Sequence, residues 1–223
     1  VRQPAPLVLA ILRAYKEQRL SRKNAAASLL ALESFYFTHA AMAHKTSSGG
    51  MSLMYGSLAQ KMSSGDANPV VAELKKKLRE RWPTFAEFQP GFLALKSSNG
   101  YTKDRRLVRY VLLKMYRVAR GKTAAAIQEE DETVEHLEAQ VAAGGCDAAH
   151  IAMIGNLCLV SKKLNESQLG NKSTAQKAPI LQGGSIVLLE SFFKNAAKWD
   201  HAAIEARSHE LAKFAFDEVW VRP

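Results

Sequence analysis

A histidine and two asparagines lie in a short polar region near the middle of the chain, at His136, Asn156 and Asn165. An imidazole takes a proton from water near neutral pH, and carboxylate and amide oxygens are the ligands that Mg²⁺ and Mn²⁺ prefer. Together these groups suit metal-assisted hydrolysis of a phosphodiester. We interpret His136 as the general base, Glu135 and Asn165 as metal ligands, and Asn156 as the residue that fixes the loop around His136. Asn171 is a second candidate for the position of Asn165, with a turn or helix-cap role as the alternative.

Three short elements are needed to bring these side chains together. The segment Thr133–Leu137 is typical of a short strand, and Leu157–Val160 predicts a second strand. The polar segment 161–177 follows and carries Asn165 on a predicted helix. Asp147 is placed to cap a short helix that reaches Ile154. The pattern therefore predicts a hairpin followed by a helix, although a lone histidine on a strand is more often structural than catalytic.

The N-terminal half of the chain has helical periodicity. Asn68 followed by Pro69 is typical of a helix start, with Asn68 as the cap and Pro69 in the first helical position. Thr102–Arg120 predicts a long amphipathic helix with a basic face. We expect that face to be solvated, with a positive wall beside DNA as the alternative. The predicted fold is mainly α with a small ββα-metal motif, in the α+β class. The predicted domains are a helical region at 1–122 and a ββα domain with C-terminal helices at 123–223.

The charge of the chain favours a polyanionic partner. The 223 residues carry a formal net charge of +10 with a sequence pI near 9.6, and lysines and arginines neutralise phosphates. Four lysines flank the proposed site, and we expect them to contact DNA phosphate, with a solvated loop as the alternative: Lys162, Lys163, Lys172 and Lys177.

Several classes of protein are excluded by composition. No apolar run approaches the length of a membrane span, and the N-terminus does not have the pattern of a signal peptide. The two cysteines, Cys146 and Cys158, form no CxxC pair, which argues against a thiolate zinc site. Cys158 is expected in the core, and a reducing, cytoplasmic setting follows. The other histidines are predicted to have packing or surface roles: His39, His44, His150, His201 and His209.

Four ordered blocks resemble one branch of the His-Asn-Asn (HNH) nucleases. Residues 135–140, EHLEAQ, resemble the Glu-His-Ile-x-Pro-Gln signature of the C-terminal nuclease domain of GmrSD-type modification-dependent restriction enzymes and SspE-type phosphorothioate-sensing antiphage proteins. Residues 154–159, IGNLCL, and 163–171, KLNESQLGN, resemble the next two motifs. Lys177 stands where the family has a lysine, and residues 199–220 resemble its C-terminal pattern. Ala139 replaces the usual proline, and Leu137 replaces isoleucine.

The resemblance implies a metal-dependent DNA endonuclease, or nickase, that uses Mg²⁺ or Mn²⁺ on double-stranded phage DNA with low sequence preference. It also implies an N-terminal nucleotide-hydrolysing sensor domain, which we expect to be missing from this chain because no Walker-type loop is present. Two alternatives remain open. One is a DNA-binding or protein-interaction helical module without catalysis, and the other is a nuclease that prefers RNA.

Overall fold

The computed structural model describes residues 3–45, 49–121, 131–140, 146–184 and 186–223. The described chain is predominantly helical and contains one two-stranded antiparallel sheet. This confirms the predicted class, mainly α within α+β. The chain divides into two compact units, Val1–Gly91 with Trp220–Pro223, and Phe92–Val219. This division lies N-terminal to the predicted domain boundary at residues 122–123, which itself falls outside the described residues.

The first unit is built from four helices and most of a fifth. The apolar faces of the first four helices share one core, which includes Leu7, Phe35, Leu58 and Leu74. Near the end of the chain, Trp220 stacks on Phe37 with ring centroids 3.9 Å apart. The helices are α1 (Ala5–Lys16), α2 (Arg22–Phe35), α3 (Gly49–Met62), α4 (Asn68–Glu80) and α5 (Phe85–Leu93), with a π-helical turn at Tyr36–Met42 after α2.

The start of α4 differs from the prediction that Asn68 caps it. Asn68 and Pro69 are the first helical residues, and Ala67 occupies the capping position without a side-chain bond. The Asn68 amide oxygen instead accepts a bond from the Asn24 side chain at 2.7 Å. Proline still begins the helix, as expected, but the asparagine ties α4 to α2.

The second unit places a hairpin among helices. Helix α6 contacts the second strand, and the last helix contacts the turn that precedes that strand. The elements are α6 (Arg105–Arg120), β1 (Glu132–His136), α7 (Ala148–Ile151), β2 (Leu157–Ser161), α8 (Lys162–Leu164), α9 (Thr174–Gly183), α10 (Glu190–Asn195) and α11 (His201–Phe214). A 3₁₀ turn at Ile154–Asn156 precedes β2, and a π-helical turn at Asn165–Leu169 continues α8.

Both predicted strands form and pair with each other. The register places Glu132 opposite Ser161, Glu135 opposite Cys158 and His136 opposite Leu157. Residues 157–160 of β2 are fully buried, and Cys158 lies in the core as expected. Strand β2 is nearly all apolar because protein packs on both of its faces. Within the described residues, no helix has the length and apolarity required to cross a membrane.

Candidate active site

The turn before β2 depends on close packing against α11. A Cβ atom on Gly155 would lie 2.1 Å from the Ile204 carbonyl oxygen and 2.3 Å from Ser208 Oγ, so only glycine fits. The Gly155 N–H donates to Ser208 Oγ at 3.1 Å. The buried Arg207 guanidinium donates to the Gly155 and Leu157 carbonyl oxygens. The strand therefore starts at a fixed point on α11.

Asn156 is fully buried and uses all of its hydrogen-bonding capacity. Its Oδ1 accepts from the Glu138 N–H at 2.8 Å and from Trp199 Nε1 at 3.1 Å. Its Nδ2 donates to the carbonyl oxygens of Glu138 and Ile151. The Asn156 carbonyl oxygen accepts from the Leu137 N–H at 2.8 Å. The side chain thus holds the backbone immediately after His136.

The His136 ring is held by groups outside the hairpin. Its Nε2 lies 2.9 Å from the Ser97 carbonyl oxygen, which requires that Nε2 carry the proton and donate it. Nδ1 is then the basic nitrogen, and the Gln140 side-chain amide lies 3.4 Å from it. Burial lowers the pKa of His136 below its usual 6.5, the Ser97 bond acts in the opposite direction, and the charge of Lys177 adds to the lowering. The ring is therefore neutral and able to accept a proton at neutral pH.

Glu135 lies next to His136 in β1 and its side chain makes different contacts. Its Oε1 accepts from Lys177 Nζ at 2.6 Å, and the same ammonium donates to the His136 carbonyl oxygen at 2.6 Å. Both side chains are buried, with 9% of Glu135 and 1% of Lys177 exposed. This corrects the expectation that Lys177 contacts DNA phosphate, because its charge is enclosed and neutralised by Glu135.

Asn165 reaches the same region from the element after β2. Ser161 ends the strand and caps α8 by accepting from the Leu164 N–H at 3.2 Å. Asn165 follows as the first residue of the π-helical turn. A cleft of about 390 Å³ brings Asn165 together with His136 and Glu135. Its lining residues are Ser97, Ser98, Asn99, Arg105, Arg109, Glu132, Thr133, Val134, Glu135, His136, Gln140 and Asn165.

The remaining three predicted phosphate contacts lie outside this lining. Lys162 and Lys163 are exposed on α8, and Lys172 is exposed before α9. Lys162 Nζ lies 3.8 Å from the carboxylate of Glu166, one helical turn later in the chain. Both side chains are exposed, and an exposed ion pair contributes little to stability.

Several cleft residues were not singled out from the sequence. Arg105 donates to the Ser98 carbonyl oxygen at 3.3 Å, and Arg109 donates to the Glu132 carbonyl oxygen at 3.1 Å. Gln140 links Asn99 to His136, since its Oε1 accepts from the Asn99 N–H at 2.7 Å and its amide nitrogen lies 3.4 Å from His136 Nδ1. The basic face of α6 and the last residue of the 135–140 block are the sequence features that point to these positions.

The hairpin, the following helical turn and the cleft define a small α+β domain with a candidate acid–base site. Residues 89–214 match the family model described as GmrSD restriction endonucleases, C-terminal domain. The match covers more than half of the chain, so the chain belongs to this family, and the matched segment is a nuclease domain of a restriction endonuclease. No curated protein and no solved structure matches the chain.

Proposed function

We propose that this domain is an HNH-type endonuclease that nicks DNA by metal-dependent hydrolysis, with His136 as the general base. The observation that carries the proposal is the arrangement of His136. Its Nε2 is hydrogen-bonded to the Ser97 carbonyl oxygen, which leaves Nδ1 as the basic nitrogen. The ring lines the same cleft as Glu135 and Asn165. A half-buried neutral imidazole with one nitrogen fixed and the other basic is what proton removal from water requires.

The cleft also has oxygen donors that fit a hard divalent cation. Glu135 uses Oε1 for Lys177, so its second carboxylate oxygen and the Asn165 amide oxygen are the groups that would hold Mg²⁺ or Mn²⁺. The bound ion would stabilise negative charge on the phosphate and the leaving oxygen. Lys177 pairs with the Glu135 carboxylate and fixes its position, and Asn156 keeps the backbone after His136 in place. His136 takes the proton at Nδ1.

Two groups of basic side chains are proposed to hold the substrate, one lining the cleft and one outside it. Arg105 and Arg109 line the cleft itself, where a guanidinium can contact the phosphate that is cut. The exposed Lys162, Lys163 and Lys172 are proposed to contact phosphates farther along the strand, which positions DNA without selecting a sequence. We propose double-stranded phage DNA as the substrate, a nucleotide-hydrolysing sensor domain as the partner, and the cytoplasm as the location.

Plasmid nicking tests the proposal. We expect the chain to convert supercoiled plasmid to the open-circular form with Mg²⁺ or Mn²⁺ and to lose this activity with EDTA. His136→Ala should lower the nicking rate by at least about 100-fold, because general-base catalysis contributes about 10²–10⁴-fold. The matched control is His209→Ala, which removes an exposed histidine from α11 and should leave the rate unchanged.

The competing proposal is a DNA-binding module without catalysis, which the net charge of +10 favours. Under that proposal, folded wild-type protein and both histidine variants bind DNA equally and none of them nicks it. Cleavage of RNA in preference to DNA, measured with equal concentrations of the two substrates, would instead indicate a ribonuclease.

A further inference from the structure

A second group of metal-ligating side chains lies at the contact between α7 and α11. Asp147 precedes α7, His150 lies within it, and His201 is the first residue of α11. One ligand atom from each of the three residues lies within 4.8 Å of the other two. The imidazole rings are stacked with centroids 4.1 Å apart. Residues that are far apart in sequence thus place their donors around one small space.

These ligand atoms face one another at short distances that a shared proton or a bound metal ion would satisfy. His150 Nδ1 lies 3.0 Å from both carboxylate oxygens of Asp147, and two lone pairs at that distance repel unless a proton or a metal ion lies between them. His201 Nε2 accepts from the Asp147 N–H at 3.2 Å, which places its lone pair on the side of Asp147. It lies 4.0 Å from Asp147 Oδ2.

We propose that Asp147, His150 and His201 bind a transition-metal cation of the Zn²⁺ class. Two imidazoles and one carboxylate suit Zn²⁺ and similar ions, whereas Mg²⁺ prefers oxygen ligands alone. Ligand bonds of about 2.0–2.2 Å separate neighbouring ligands by roughly 3.4 Å in a tetrahedral site, which is within the range found here. Water would complete the coordination, and the Glu205 carboxylate, 3.1 Å from His150 Nε2, would accept a hydrogen bond from that nitrogen as an outer-shell partner.

The site is ordered before any ion binds. Asp147 Oδ1 accepts from the backbone N–H groups of Ala149 and His150, both at 2.9 Å, so the carboxylate is fixed as the cap of α7. His201 is 45% exposed at its side chain, which leaves a path for the ion. The ion would join α7 to α11. Because the Ile151 carbonyl oxygen of α7 accepts from Asn156, the ion would also brace the loop that holds the nuclease site.

Calorimetric titration of the full chain with ZnCl₂ tests this site. We expect one Zn²⁺ site that survives His136→Ala, which alters the nuclease cleft, and His209→Ala, the matched histidine control. His201→Ala should weaken binding by more than about 100-fold, since loss of even an outer-shell partner costs about 10–100-fold. Asp147→Asn should also weaken binding while leaving the helix capped, because asparagine caps as well as aspartate.

Thermal unfolding gives a second measurement. Saturating Zn²⁺ should raise the Tm of the wild type and His209→Ala by several degrees, with no rise in His201→Ala, and equal concentrations of Mg²⁺ should not reproduce the effect. Unchanged Zn²⁺ affinity in folded His201→Ala, or no binding to the wild type at micromolar concentrations, would overturn the proposal. A site lost only in His136→Ala would place the ion in the nuclease cleft and would also overturn it.

Discussion

At the scale of single residues, the candidate nuclease site depends on side chains that never reach the substrate. Lys177 neutralises Glu135 and also bonds the backbone of His136, so a single ammonium fixes two neighbouring residues of β1. Asn156 fixes the next part of the chain through Glu138. Buried polar groups therefore hold the backbone on both sides of the proposed base. Such groups are costly to disturb, because each partner left behind loses its hydrogen bond and has no water to replace it.

Substitution of Lys177 by methionine should strongly destabilise the second unit. The change leaves the buried Glu135 carboxylate without its cation, and breaking a buried pair in this way costs about 3–5 kcal/mol. Adding Glu135→Gln should recover part of the loss, because a neutral amide is less costly to bury than an unpaired charge. Urea unfolding measures both effects. Lys172→Met, at an exposed lysine, should change stability by less than about 0.5 kcal/mol, and an equal effect at the two lysines would contradict the assigned pair.

Asn156→Ala should lower the free energy of unfolding by at least about 3 kcal/mol, because it leaves several buried donors and acceptors unpaired at about 1–3 kcal/mol each. It should also alter the near-ultraviolet circular dichroism of the folded protein, since Trp199 loses the partner of its indole N–H. Asn171→Ala is the control at an exposed asparagine. A folded Asn156→Ala protein with wild-type stability would show that this side chain does not hold the loop.

At the scale of elements, the sequence predicts the helices and strands that have strong local patterns. It does not predict features that depend on contacts with residues far away in the chain. The two strands were predictable from short local segments and the cap at Asp147 from its residue type, and all three are confirmed. Helix α7 ends at Ile151, three residues before the predicted Ile154, because a 3₁₀ turn packed on α11 follows. Lys177 and Leu181 lie on one helical face and both are buried, but a single leucine four residues later does not indicate that a lysine is buried. The Lys177–Glu135 pair joins segments that no local sequence pattern connects. The same is true of the hydrogen bond that His136 donates to the Ser97 carbonyl oxygen.

The start of α5 gives a test of pH dependence at this scale. Glu87 accepts from the Thr84 N–H at 2.8 Å and pairs with Lys45 at 2.6 Å. Two hydrogen bonds lower the pKa of Glu87 to about 2. The bond from Lys45 has the larger effect, and the bond from the Thr84 N–H has the next largest. A carboxyl group whose pKa is lower in the folded state stabilises the fold above its unfolded value, here 4.5, and that stability is lost as the pH falls toward 2. Glu87→Gln should therefore have a lower Tm than the wild type at pH 6 and a smaller fall in Tm between pH 5 and pH 2.5.

Glu80→Gln serves as the control for this measurement because it removes an exposed glutamate from the end of α4 in the same unit. It should retain the acid-induced fall in Tm of the wild type. Identical acid profiles for Glu87→Gln and the wild type would show that the box formed by Thr84 and Glu87 does not contribute to the stability of this unit.

At the scale of the whole molecule, the excess of 31 basic over 21 acidic residues must be separated from the contacts of a few lysines. A net positive charge attracts DNA weakly, regardless of where on the protein the charged residues lie. Lysines that contact phosphates release counterions when DNA binds. A plot of the logarithm of affinity against the logarithm of salt concentration therefore falls, and each contact adds about 0.9 to its steepness. The steepness therefore counts contacts, and the net charge alone does not determine it.

We expect the triple variant Lys162→Gln, Lys163→Gln, Lys172→Gln to reduce that steepness by about 2.7, since three contacts are removed. The measurement is fluorescence anisotropy with a labelled duplex over a range of NaCl concentrations, without divalent cations so that the duplex stays intact. The control triple Lys16→Gln, Lys23→Gln, Lys76→Gln removes three exposed lysines from the first unit. It lowers the net charge equally and should leave the steepness within about 0.5 of the wild type. Equal reductions in both triples would mean that DNA responds to the overall charge of the chain, and the three lysines beside the nuclease cleft would lose their assignment as phosphate contacts.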